Sequence, residues 1–168
     1  MASPPGEMFP PQRANPPEAL NWRTYTNDVL ISASLLPLEK LMQNLRILIV
    51  DDEHEAGEIL SLRLRRRGMK PSYASSGEDA LVMMQEQPAD IVLLDIKMPG
   101  MDGLEVLRRI RAGYPGTSVI ILSGHADMDA AAEGLELGAF VYLLKPVNLD
   151  DLCHKIEDAR RQKELEKR

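Results

Sequence analysis

The sequence predicts an α/β protein, a doubly wound five-stranded parallel sheet with helices on both faces, preceded by a proline-rich extension. Three observations carry that expectation. Five short, uninterrupted apolar runs alternate with five stretches of helical character, and strands covered on both faces read as such runs. The pattern begins at Arg46 and continues to about residue 160, a normal domain length. Ahead of it, seven of the 12 prolines fall within the first 45 residues.

In chain order, the extension comes first. Pro4, Pro5, Pro10, Pro11, Pro16 and Pro17 lie in pairs; each fixes φ, lacks an amide donor and pushes its predecessor out of the helical region. Residues 1 to about 28 are therefore expected to be extended or disordered. Leu38, Leu41, Met42 and Leu45 recur at i, i+3, i+4 and i+7, which suits one or two amphipathic turns after Pro37. Met42 also stands where the domain itself could begin, and residues 1–41 are expected to matter little to its chemistry.

The expected strands are residues 47–50, 71–74, 91–94, 119–122 and 141–144, with helices over about 55–67, 78–87, 104–111 and 129–137 and a last one from 149. Ser76 with Asp79, and Asn148 with Asp151, read as N-caps followed by an acid in the first turn, where the helix dipole favours it. Gly68 and Gly138 stand where helix C-caps are needed. Leu149, Leu152, Ile156 and Ala159 should bury the last helix on the sheet, and residues 161–168 form a charged helical tail. Arg63, Arg65, Arg66 and Arg67 gather at a helix C-terminus, where cations suit the dipole, and His54 is expected to be a solvated helix residue.

Composition bounds the function. The single cysteine, Cys153, excludes an internal disulfide framework and a cysteine-based zinc site, which suits a reducing cytoplasm. No apolar run approaches the roughly 18 residues of a membrane span, and no secretory leader pattern is present. The net charge is −6, distributed as −1 over residues 1–45, −7 over 46–153 and +2 over 154–168, so no nucleic-acid contact is expected within these residues.

The chemistry is expected at the carboxyl ends of the strands, where open α/β sheets bind ligands. Strand one runs into Asp51, Asp52 and Glu53; strand three ends at Asp95, strand four at Ser123 and strand five at Lys145. Unit charges of one sign about 4 Å apart cost about 4 kcal/mol at an effective dielectric near 20, so a carboxylate cluster calls for a cation. A few carboxylates with water positions left over suit Mg²⁺. Such a cation with Lys145 would attract a phosphoryl group, for which one carboxylate could serve as nucleophile.

At this point the motifs resemble a known family. Ile49-Val50-Asp51-Asp52-Glu53, Leu93-Leu94-Asp95-Ile96-Lys97-Met98-Pro99-Gly100-Met101-Asp102-Gly103, Ile121-Leu122-Ser123-Gly124-His125, and Tyr142-Leu143-Leu144-Lys145-Pro146 after Gly138-Ala139 resemble, in order and spacing, the receiver domain of two-component response regulators. The resemblance covers residues 46–160 and implies a flavodoxin-like strand order 2-1-3-4-5. It implies that Asp95 accepts a phosphoryl group from a phosphohistidine of a sensor histidine kinase or phosphotransfer protein. By the same resemblance, Asp52 binds Mg²⁺ directly, Asp51 largely through water, and the Lys97 carbonyl and Asp95 complete the set. Lys145, followed by Pro146 through a cis peptide, would pair with the phosphoryl oxygens; Ser123 and Tyr142 would act as the switch hydroxyl and switch aromatic. Gly124 would keep access open. Lys97 and His125 occupy positions that tune hydrolysis, and since a charged lysine accepts no proton, a phosphorylated state lasting minutes or longer is expected.

On that basis the protein is a phosphorylation-controlled signalling module, not an enzyme acting on an external substrate. Its output partner is unspecified, and its switched surface is helix four, strand five and helix five, through which a homodimer could also form. Two alternatives have different needs. A flavodoxin-like carrier wants a donor-rich, uncharged phosphate loop after strand one, and an aspartyl-phosphate phosphatase wants an Asp-x-Asp motif there. Only Asp51-Asp52 is present.

Overall fold

The computed structural model describes residues 42–168. The proline-rich residues 1–41, with Leu38 and Leu41 of the expected amphipathic turn, lie outside the described residues; Met42 and Gln43 are helical. Beyond them the elements alternate as β1 (Arg46–Val50), α1 (His54–Arg65), β2 (Lys70–Ala74), α2 (Gly77–Glu86), β3 (Ile91–Asp95), α3 (Gly103–Gly113), β4 (Ser118–Ser123), α4 (Met128–Glu136), β5 (Val141–Leu144) and α5 (Leu149–Glu166). A 3₁₀ turn, His125–Asp127, joins β4 to α4. Every strand pair is parallel and the order is β2-β1-β3-β4-β5.

Strand periodicity explains the two cores. Alternate side chains point to opposite faces, so Leu48, Val50, Val92, Leu94, Val119 and Ile121 pack with Met84 of α2, Val106, Leu107 and Ile110 of α3, and Ala131 of α4. Ile47, Ile49, Ile91, Leu93, Ile120 and Leu122 face the other way, onto Leu64 of α1 and Leu152, Ile156 and Ala159 of α5. The apolar spacing in α5 is thus the stripe that seals the second layer.

The caps fall where the sequence places them. Ser76 Oγ accepts from Asp79 N at 3.1 Å, and Asn148 Oδ1 accepts from Asp151 N at 3.0 Å. Asp102 caps α3 in the same way, accepting from Glu105 N at 2.8 Å. Gly68 and Gly138 have φ of 82° and 98°, the left-handed conformation that closes a helix without a Cβ clash.

Towards the C-terminus α5 runs unbroken to Glu166, and beyond Arg160 its side chains are mostly exposed. Arg160 is buried, held by Glu157 and Glu164, and Lys163 Nζ reaches Asp90 Oδ1 at 2.8 Å. Salt bridging along i, i+3 and i, i+4 keeps this last stretch helical where no apolar stripe exists. The four arginines of the cluster are exposed, and Arg67 pairs across the surface with Asp150 at the start of α5.

Candidate functional site

Parallel strands deliver their terminal residues to one rim. β1 and β3 are neighbours, so Asp51, just past β1, and Asp95, the last residue of β3, come together, with Asp52 beside them. Ligand oxygens of Asp51, Asp52 and Asp95 lie within 4.8 Å of one another. Asp51 and Asp95 are buried, whereas Asp52 is exposed. β4 brings Ser123 to the same rim, and β5 leads directly into Lys145, whose N–H donates to the Ser123 carbonyl at 2.7 Å.

Lys145 Nζ donates to Asp51 Oδ2 at 2.8 Å and to Asp95 Oδ2 at 3.3 Å. The other oxygen of Asp51, Oδ1, accepts from Glu53 N at 2.9 Å. Asp51 therefore has both carboxylate oxygens committed, and Asp52 has neither committed to a hydrogen bond among the described residues. That division leaves Asp52 the freer of the two carboxylates. Glu53, a third acid in the run, stands outside the cluster as the residue preceding α1.

The electrostatics are unbalanced. Burial, above all, pushes the Asp95 carboxyl up to about 6, with Asp51 and Asp52 adding to the rise and Lys145 only partly opposing it. The lysine sits closer to Asp51, so Asp95 is the under-compensated member. For Lys145, burial acts to lower its pKa, but the Asp51 hydrogen bond and the charges of Asp95 and Asp51 outweigh it and hold the ammonium above its ordinary value. One cation thus faces three acids, an arrangement that a divalent cation completes.

Ser123 is fully buried, and its Oγ has no hydrogen-bond partner among the described residues. An orphaned buried hydroxyl costs about 1–3 kcal/mol, so it points to a polar group that arrives from outside. The donor set of buried acids, a lysine and an unpaired hydroxyl fits a metal-assisted phosphoryl site.

The remaining expected residues divide. The peptide Lys145–Pro146 is cis. Tyr142 lies half-buried on β5, packed on the α2–α4 side of the sheet. Lys97 is exposed and its Nζ reaches Asp127 Oδ1 at 2.6 Å, across to the end of the 3₁₀ turn. A Cβ at Gly124 would meet only Asp127 Oδ2, at an ordinary 3.5 Å, so the protein interior itself does not demand a glycine there. His125 opens the 3₁₀ turn, and its side chain lies outside the described positions. His54 is exposed, 3.2 Å from Glu58 on its own helix.

Two contacts were not foreseeable from motifs. Asp127 appears in none of them, yet it is the partner of Lys97. Tyr73, near the end of β2, donates its phenol to the Asp51 backbone carbonyl at 2.6 Å. The signal that locates it is topological, since β2 is the other neighbour of β1 and its end lies beside Asp51. Burial, then the charges of Asp51, Asp52 and Glu58, hold the Tyr73 phenol above its usual value.

The first βα loop also decides between architectures that share this sheet. An uncharged phosphate cradle needs free amides after β1, but Glu53 N is bound to the Asp51 carboxylate. Among the described residues no helix is long and apolar enough to cross a membrane.

Comparison with known proteins agrees with the geometry. Residues 47–157 match the response regulator receiver domain. Regulatory protein AtoC of Escherichia coli (strain K12) is 37% identical over 122 residues, 73% of this chain and 26% of that protein. DNA-binding transcriptional regulator NtrC of Proteus hauseri is 37% identical over 118 residues, 70% of this chain and 25% of that protein. Among solved structures, a response regulator receiver domain protein from Clostridium thermocellum aligns with a TM-score of 0.69 at 37% identity, covering 72% of this chain and 98% of that one. The chain spans about a quarter of the length of the curated relatives it matches. The family match runs across all five strands and the rim they share, and the chain belongs to the receiver domains of response regulators, the proteins of two-component phosphorelay signalling.

Proposed function

We propose that Asp95 accepts a phosphoryl group from a phosphohistidine of a sensor histidine kinase or phosphotransfer protein. The observation that carries this is the under-compensated Asp95 carboxylate beside Asp51, Asp52 and Lys145 on one rim. An Asp95 oxygen forms the new bond to phosphorus as the phosphorus–nitrogen bond breaks, and the imidazole leaves with that electron pair. Asp52, Asp95 and the Lys97 carbonyl, with Asp51 behind them, would hold Mg²⁺, which when bound would supply charge neutralisation for the transferring group. Lys145 pairs with a phosphoryl oxygen, and the unpaired Ser123 hydroxyl donates to another.

Switching follows from that last bond. A hydroxyl satisfied only in the phosphorylated state gives that state a differential stabilisation, which shifts the population of the β4–α4 segment and of Tyr142. The surface altered is α4, β5 and α5, where Met128, Leu135 and Leu144 are exposed apolar residues suited to an output partner or a second copy. The donor approaches from the other side. A groove lined by Ala56, Ile59, Leu60, Arg63, Pro146 and Val147 runs up to Asp51 and Lys145, and Ile59 and Leu62 stand exposed on α1 beside it. The module modifies only itself and acts in the cytoplasm. Lys97, engaged by Asp127, gives no base for an attacking water, so the acyl phosphate persists for minutes or longer; Gly124 and His125 follow the switch hydroxyl in sequence and are the further positions that tune the hydrolysis.

Incubation of the full chain with Mg²⁺ and phosphoramidate, followed by intact mass, tests the assignment. A gain of about 80 Da, one phosphoryl group, is expected for the wild type and not for Asp95→Asn. An equal gain in Asp95→Asn, or none in the wild type, overturns it.

A further inference from the structure

The β1–α1 turn carries two of the three clustered acids, yet only one is fixed by its own side-chain contacts. Asp51 is held at every polar group. Its N–H donates to the Ala74 carbonyl at 3.2 Å, its backbone carbonyl accepts from Tyr73 Oη at 2.6 Å, and its carboxylate is bound by Glu53 N and Lys145. Asp52 has an exposed side chain without such bonds, so its position depends on the peptide that joins it to Asp51. The carbonyl of that peptide lies beyond the last ladder pair of β1 with β2, Val50 with Ala74, and has no strand partner. The Tyr73 phenol is its tether.

The tether has its own seat. An ideal Cβ on Gly57 would fall 2.1 Å from Tyr73 Cε2 and 2.8 Å from Cδ2, so the ring occupies the space where any other residue at this helix position would carry its side chain. The His54 ring flanks it from the same helix, with centroids 5.5 Å apart and planes tilted by 58°. Glycine inside a helix costs about 1 kcal/mol relative to alanine, and here that cost leaves room for an aromatic ring whose only side-chain hydrogen bond among the described residues runs to the Asp51 carbonyl.

We propose that Tyr73 is a positioning residue for divalent-cation binding: its phenol, seated on Gly57, orients the Asp51–Asp52 peptide and so presents the Asp52 carboxylate to the cluster. This rests on the assignment of Asp51, Asp52 and Asp95 as the cation site. Tyr73→Phe keeps the ring on Gly57 and His54 and removes one hydrogen bond. Calorimetric titration of the full chain with MgCl₂ should show roughly three- to tenfold weaker binding, the fold-change matching one net hydrogen bond. The Mg²⁺ concentration for half-maximal phosphorylation by phosphoramidate should rise by the same factor while the rate at saturating Mg²⁺ stays near wild type. Gly57→Ala, which displaces the ring by a different route, should weaken Mg²⁺ binding similarly, and adding it to Tyr73→Phe should bring little further loss.

A purely structural role gives another pattern, with Tm lowered in Tyr73→Phe and Mg²⁺ affinity unchanged, and that result overturns the proposal. Should Tyr73→Phe fail to fold, unchanged affinity in Gly57→Ala does the same. A wild type that binds no Mg²⁺ refutes the cation site itself, whereas a wild type that binds it with Tyr73→Phe indistinguishable refutes only the role of Tyr73.

Discussion

The two ends of the sheet each hold a carboxylate at least half-buried and in contact with a cation, and they treat it in opposite ways. At the base, Asp90 accepts from the Arg46 backbone N at 3.0 Å, from Arg46 Nε at 3.3 Å and from Lys163 Nζ at 2.8 Å. Burial alone would raise its pKa, but the hydrogen bonds of Lys163 and Arg46 outweigh it and the carboxyl lies below its ordinary value. At the rim, Asp95 shares one lysine with Asp51, has two acids for neighbours and is pushed up to about 6. The base is a finished clamp joining β1, the entry to β3 and α5. At the rim the acids outnumber the lysine, and Asp95 stays under-compensated.

Substitutions that remove one carboxylate at a time should separate the two ends. Asp90→Ala should have the largest effect on stability, about 1–2 kcal/mol in urea unfolding, because two cations and a backbone amide lose their acceptor at a site that solvent partly screens. Phosphorylation by phosphoramidate should survive in that variant. If Asp90→Ala left stability unchanged, the base would be no clamp.

Asp95→Asn should act with the opposite sign. The folded-state pKa of Asp95, about 6, lies above the ordinary aspartate value of 3.8, so the folded protein holds this proton more tightly than the unfolded chain does. The resulting stabilisation is complete below about pH 4 and is lost as the pH rises through about 6. In chelator-containing buffer, Asp95→Asn should therefore exceed the wild type in Tm at neutral pH, with the gap closing towards pH 4. A gap that does not vary with pH would contradict the strain assigned to the rim.

The smallest effect belongs to the rim's margin. Lys97→Asn exchanges a cation engaged by Asp127 for an amide that can orient water, and should shorten the lifetime of the acyl phosphate several-fold. Decay within seconds in the wild type, unaltered by Lys97→Asn, would remove Lys97 from the account.

How far the sequence discloses these features depends on whether they are local. Strands buried on both faces are written as continuous apolar runs, and the residue that ends each run lies on the rim of a parallel sheet, so Asp51, Asp95, Ser123 and Lys145 fall together once strands one and three are neighbours. Caps are local as well, and Ser76 and Asn148 bind three residues ahead as their types suggest. Features that depend on meeting across the sheet or between loops were illegible. Asp90 and Lys163 are 73 residues apart in sequence, and nothing near Lys163 distinguishes it from the charges around it. Arg160 stands in a run of charges that carries no sign of its burial. Tyr73 reads simply as a β-strand aromatic until β2 is known to lie beside β1, and Lys97 gives no hint that Asp127 will meet it.

The most direct test treats both carboxylates alike. Wild type, Asp90→Asn and Asp95→Asn, each as the full chain, are incubated with Mg²⁺ and phosphoramidate and weighed intact. The rim as phosphoacceptor predicts one added phosphoryl group on the wild type and on Asp90→Asn, and none on Asp95→Asn. Retention of the group by Asp95→Asn, or its loss from Asp90→Asn while that variant stays folded, would contradict the division of labour between the two ends of the sheet.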